Sequence, residues 1–96
     1  MYKLVISEAA EYDLLSIYDY TFEYFGETKW IEYNSEIQNN IEKIINNPSI
    51  GHSRKDIPEN CLAWPVNNHF IIYRVVENYI QIARILHQKL NFLNQF

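Results

Sequence analysis

The sequence predicts an α+β fold, in the element order β-α-α-β-β-β, with an N-terminal helical hairpin packed on one face of an antiparallel sheet. Three observations carry this. Two apolar stripes at three- and four-residue spacing follow one another between Glu8 and Asn47, parted by a single glycine. Three strand-like runs occupy residues 61–86, separated by Asn67-Asn68 and Glu77-Asn78, both suited to tight hairpin turns. A short aromatic and β-branched run precedes them all.

That first run, residues 2–7, reads as a strand closed by Ser7. Ser7 is also a plausible N-cap, with Glu8 and Glu11 where the helix dipole favours anions. A helix to about Phe25 follows, with Ala10, Leu14, Ile17, Tyr18 and Phe25 as its buried face, and Gly26 stops it. A second helix over roughly Thr28–Asn47 carries Trp30, Tyr33, Ile37, Ile41, Ile44 and Ile45 on one side and ends before Pro48. Together they form an antiparallel hairpin. Residues 49–60, with Gly51 and Pro58, read as loop. Of the three runs Cys61–Val66, Phe70–Val76 and Tyr79–Leu86, the last two are apolar almost throughout, as in central strands. Pro65 lacks a backbone donor and sends the first to an edge or a bulge. The tail from Gln88 to Phe96 suits a short terminal helix.

A chain of 96 residues, 48% of them hydrophobic and only two of them glycine, can fill one core and is too short for two, so residues 1–96 read as one domain. The first residues have too short an apolar run for an export signal, and no stretch approaches the roughly 20 apolar residues that cross a bilayer. The single cysteine, Cys61, has no partner within the chain. These features point to the cytoplasm. The net charge of −4 is uneven, with residues 1–47 at −6 and residues 48–96 at +2, which leaves a modest basic surface in the second half. No histidine–cysteine spacing suggests a metal, and with Gly26 and Gly51 the only glycines there is no phosphate loop.

Four segments then carry a resemblance. They are Val5-Ile6-Ser7-Glu8-Ala9-Ala10-Glu11-Tyr12-Asp13-Leu14; Asn47-Pro48-Ser49-Ile50-Gly51; Ile57-Pro58 with Trp64-Pro65-Val66 and His69-Phe70-Ile71-Ile72-Tyr73-Arg74-Val75; and Ile82-Ala83-Arg84-Ile85-Leu86-His87-Gln88-Lys89. In order and spacing they resemble the RelE/ParE toxins of type II toxin–antitoxin systems, nearer the ParE branch. Two positions depart from the family pattern. Glu8 stands where proline is usual, and Leu62 stands where many members have arginine, which removes a cation from a face that nuclease members use for RNA.

The resemblance implies a toxin that arrests growth by binding DNA gyrase, takes no cofactor, and is neutralised in a hetero-oligomer with a cognate antitoxin. Its target-binding candidates are Arg74, Arg84, His87, Lys89 and Phe92, with Leu90 and Phe96 beside them. The alternative is a RelE-like endoribonuclease that cuts messenger RNA on the ribosome, using Arg54, Lys55, Arg84 and His87 for acid–base and phosphate work, with Arg74 and Lys89 in reserve. Against it stand Leu62 and Gln88, the latter where some nucleases place an aromatic acid–base residue. His87 can equally bond the backbone, and Arg84 can equally be a sheet-face arginine paired with an acid. A degenerate, non-toxic antitoxin binder is the third possibility. Eight tyrosines and two tryptophans exceed what so small a core needs, and among them Tyr20, Tyr24, Trp30 and Tyr33 are the antitoxin-binding candidates.

Overall fold

The computed structural model describes residues 1–96. Strand β1 (Lys3–Ile6) leads into helices α1 (Glu8–Phe25) and α2 (Glu27–Asn46), then strands β2 (Leu62–Val66), β3 (His69–Val76) and β4 (Tyr79–His87), and a 3-10 turn at Phe92–Gln95. The helices pack on one face of a four-stranded sheet ordered β1-β4-β3-β2. Strands β2, β3 and β4 are antiparallel neighbours as expected, but β1 lies parallel to β4. The sheet is therefore mixed rather than wholly antiparallel. Crossing the hairpin returns β1 to the far side of the last strand, a pairing that local sequence does not encode. Pro65 sits in edge strand β2, where its missing N–H costs no ladder bond.

Ser7 starts α1 and ties it to the sheet. Its hydroxyl accepts the Ala10 N–H at 3.0 Å and donates to the Ala83 carbonyl at 2.7 Å. A single residue, Gly26, joins the helices at φ 89°, a value that L side chains avoid. Asn47, at φ −147° and ψ 81°, has left helical geometry before Pro48, so α2 ends there. The first residues of the two hairpin turns, Asn67 and Glu77, take φ of 52° and 56°, in keeping with the strand twist.

The helix-side core is built from Ile37, Ile41 and Ile44 of α2, Ile71 and Tyr73 of β3, and Ile80, Ile82 and Ile85 of β4. Each such isoleucine contributes roughly 1.5–3 kcal/mol by leaving water. On α1 the buried face is Ala10, Asp13, Ile17 and Thr21, while Tyr18 and Phe25, expected inside, are exposed. The wheel was displaced by the aromatics: the buried stripe follows the polar Asp13 and Thr21. On the other sheet face the 52–61 loop and the tail cover Ile72, Ala63 and Leu86 with Ile57, Cys61 and Phe92. Burial also raises the Cys61 thiol pKa, as for an inert core cysteine.

The register of β3 on β4 slips by one between Ile72 and Tyr73, because Ile72 faces Arg84 whereas Tyr73 faces Ile82. Ala83 is the extra residue of a bulge, and it changes which residues of β4 face the helices, from Ile80 and Ile82 to Ile85.

Candidate functional site

Where the hairpin overhangs the far ends of β3 and β4, an open groove of about 880 Å³ runs between the helices, the Asn67-Asn68 turn and the tail. Tyr20 and Phe25 of α1, Tyr33 and Glu36 of α2, His69 of β3, Arg84 and His87 of β4 and Leu90 of the tail line it. The bulge and the edge of β4 decide the electrostatics. Beyond the end of β1 the β4 edge has no strand partner, and Asp13 takes that place. Its carboxylate accepts the Ile85 N–H at 2.9 Å and binds the Arg84 guanidinium through Nε at 2.8 Å and Nη2 at 2.9 Å. Arg84 also donates to the Gln95 carbonyl at 2.8 Å, which holds the tail against the sheet. The pair is largely withdrawn from water, with Arg84 and Asp13 side chains 19% and 10% exposed. Arg84 is thus a sheet arginine paired with an acid, reached through the bulge rather than by simple two-residue alternation.

The register that pairs β3 with β4 sets His69 opposite His87, their rings edge to face with centroids 5.1 Å apart. The Tyr33 hydroxyl meets Nδ1 of His69 and lies 3.3 Å from the Val66 carbonyl. Nδ1 of His87 accepts the Lys89 N–H at 3.1 Å, which puts the proton of the neutral ring on Nε2. Burial raises the Tyr33 phenol to about 12, with Glu36 adding to it. His69 is lowered from 6.5 to about 4, chiefly by burial, then by His87, with Asp13 opposing. Glu36 is itself bonded to Asn67, and Lys29 to Glu32. The charged groups and both histidines around the groove have partners within the protein.

The His69 shift carries a stability prediction. The unfolded chain takes up its proton near 6.5 and the folded one only near 4, so stability falls as pH drops between these values and the loss is complete below them. Urea midpoints above and below this window measure it, and His69→Gln is expected to flatten the difference while the carboxylate contribution remains.

The other sequence candidates scatter. Arg54 sits on the opposite sheet face, bound to Asp56 at 2.8 and 2.7 Å and lying 4.9 and 4.4 Å from the Phe70 and Phe92 ring centroids. It caps the second core and cannot join His87. Arg74 donates to Gln81 at 2.6 Å on β3, while Lys55 and Lys89 are exposed. Phe92 is corrected outright: at 1% exposure it anchors the tail against Phe70 and offers a target nothing. Leu90, Leu93 and Phe96 are the apolar tail residues left at the surface. Of the aromatics, Tyr20 and Tyr24 are exposed and in contact with each other, their rings tilted at 43°, whereas Trp30 packs edge-on against Tyr18 and Tyr33 is engaged with His69. His69 and Asp13 are the residues sequence reasoning missed. Asp13 was legible as an acid in the three-to-four-residue series Ala10, Asp13, Ile17, Thr21.

A family model described as the ParE toxin of type II toxin–antitoxin system, parDE, matches residues 4–92. Toxin ParE1 of Mycobacterium tuberculosis (strain CDC 1551 / Oshkosh) is 30% identical over 90 residues, 93% of this chain and 92% of the relative. Toxin ParE1 of Caulobacter vibrioides is 29% identical over 86 residues, 90% and 88% of the two chains. Among solved structures, a chain of the chromosomal ParDE TA system from P. aeruginosa superposes with a TM-score of 0.78 at 23% identity, covering 91% of this chain and 96% of that one. A chain of the YoeB-YefM complex from Staphylococcus aureus shares the fold with a TM-score of 0.58 at 16% identity, covering 91% and 97%.

Proposed function

The chain belongs to the ParE toxin family of type II toxin–antitoxin systems, and from that membership we propose that it arrests growth by binding DNA gyrase, without chemistry of its own, until a cognate antitoxin neutralises it. One observation carries the non-catalytic part. Arg84 is held by Asp13 and the Gln95 carbonyl, and Arg54 lies across the sheet on Asp56, so His87 has no free arginine beside it. Stabilising a phosphorane needs a cation aimed at the phosphate. The target surface is the basic, apolar end made by Lys89, Leu90, Leu93 and Phe96, with Arg74 further along the sheet, and Arg84 shapes it from beneath. The antitoxin takes the exposed tyrosines Tyr20 and Tyr24 and the groove beside them, with Trp30 and Tyr33 as its backing.

A nuclease acting on the ribosome remains the second reading because His69, His87 and Tyr33 do come together in the groove. Induction without the antitoxin separates the two. Gyrase binding predicts early DNA damage and filamentation with translation intact, and retention of that effect in His87→Ala together with its loss in Leu93→Ser/Phe96→Ser. Early translational arrest with cut messages, abolished by His87→Ala, would replace this reading by the nuclease. Normal growth would leave only the non-toxic antitoxin binder.

A further inference from the structure

Resting on the gyrase reading above, we propose that Asp13 and Arg84 are positioning residues for target binding. Neither touches the target; through the Gln95 carbonyl they set the tail so that Leu93 and Phe96 form one apolar ridge. The geometry of the tail explains why these two side chains share a side. Phe92–Gln95 is a 3-10 turn, with about three residues per turn, so side chains three apart eclipse. Leu93 and Phe96 fall on one side and are 67% and 50% exposed. Phe92 and Gln95 fall on the other, the first buried and the second half-buried.

Such a turn does not hold its own direction. Its internal bonds run from the Leu93 N–H to the Asn91 side chain and from the Asn94 N–H to the Asn91 carbonyl, both at 3.2 Å. A single helical turn is unfavourable by itself, so the direction has to come from anchors. Phe92 is one, packed edge-on to Phe70 in the second core. The other is the Gln95 carbonyl, which accepts Nη1 of Arg84 at 2.8 Å. Arg84 can serve because Asp13 aims it: the carboxylate takes Nε and Nη2 side by side, which fixes the guanidinium plane and leaves Nη1 for the tail. Asp13 is itself pinned by the Ile85 N–H, so the ridge is referenced to β4 and α1. With side chains 10% and 19% exposed, Asp13 and Arg84 offer a target little surface of their own. Without them Leu93 and Phe96 are present but unfixed, and the ordering cost falls on the binding step. A ridge set in roughly one molecule in ten lowers the apparent affinity about tenfold.

The test uses the full chain and purified gyrase. Arg84→Lys keeps a cation beside Asp13 and removes the planar fork that reaches Asp13 and Gln95 together. The concentration that half-inhibits supercoiling is expected to rise about tenfold. Hydrogen exchange at the Leu93 and Asn94 amides is expected to quicken while the amides of β3 and β4 stay protected. Asp13→Leu/Arg84→Met, which leaves no charge unpaired, is expected to do the same, so the outcome does not hang on the folding of one variant. A combination separates positioning from general destabilisation. Leu93→Ala is expected to weaken the wild type more than it weakens Arg84→Lys, because an unfixed ridge has less to lose. Wild-type inhibition by Arg84→Lys and by Asp13→Leu/Arg84→Met would overturn the inference. So would unchanged exchange in the tail, or losses that simply add when Leu93→Ala joins Arg84→Lys. Failure of the unaltered chain to inhibit gyrase is a different result, which would sink the functional reading and this inference with it.

Discussion

Truncation of Asp13 to alanine is expected to cost about 3–5 kcal/mol, the range for breaking one side of a buried ion pair. Three partners lose their acceptor at once: two nitrogens of Arg84 and the backbone N–H of Ile85. The Ile85 amide lies on the β4 edge beyond the end of β1, where the carboxylate stands in for a strand. Arg84→Ala should approach the same cost, because it leaves the carboxylate with a single bond and frees the tail at Gln95. Removing both charges, as in Asp13→Leu/Arg84→Met, is expected to cost less than the sum of the single changes, since an apolar pair carries no unpaired charge. Urea denaturation of the four chains measures this. Additive losses would mean that the two side chains act independently and that the ion pair is incidental.

The second large effect concerns Tyr73, which is fully buried with its hydroxyl shared between two loop groups. The hydroxyl donates to the Pro48 carbonyl at 2.8 Å and accepts the Gly51 N–H at 2.9 Å. This gives physical content to the Pro48-Ser49-Ile50-Gly51 connection, because the loop is tied down by one phenol from the core. Tyr73→Phe keeps the ring and removes both bonds, with an expected cost of about 2–4 kcal/mol from the two groups left unpaired. Gly51→Ala acts from the other side. A Cβ there would stand 2.7 Å from the Tyr73 hydroxyl and 2.8 Å from Cβ of Leu62, so the loop must shift, at about 1–3 kcal/mol. The double variant should fall short of the sum, since losing the hydroxyl clears one obstruction and leaves Leu62 and the ring edge of residue 73 in place. Thermal unfolding of the three variants decides it, and a wild-type midpoint for Tyr73→Phe would refute the tether.

Much of the fold was legible in local pattern. Ser7 and Gly26 bound α1 because a hydroxyl can accept an amide and a glycine can adopt a positive φ. Pro48 ends α2, and the three C-terminal runs form strands with the proline-containing one at the edge. The parallel β1–β4 pairing was not legible, because its partners lie more than 70 residues apart and no periodicity connects them. The buried face of α1 was misjudged in favour of tyrosine and phenylalanine, when a buried aspartate was the more informative residue. The site suffered most from the bulge at Ala83. Counting back from the Glu77-Asn78 turn without it sets His69 opposite Leu86, and the extra residue brings His87 there instead. The meeting of His69 with His87 was therefore not visible in the sequence, and the buried Phe92 was set among the target-binding candidates.

A protein that works by surface complementarity should act on purified gyrase without any catalytic side chain. The direct measurement adds the purified chain to DNA gyrase and supercoiled DNA, with His87→Ala and the double variant His69→Ala/His87→Ala alongside. The expected result is loss of supercoiling and accumulation of cleaved DNA, equal for the wild type and both histidine variants and reversed by the antitoxin. Unaltered gyrase activity, with cleavage of ribosome-bound messenger RNA that disappears in His87→Ala, would contradict it.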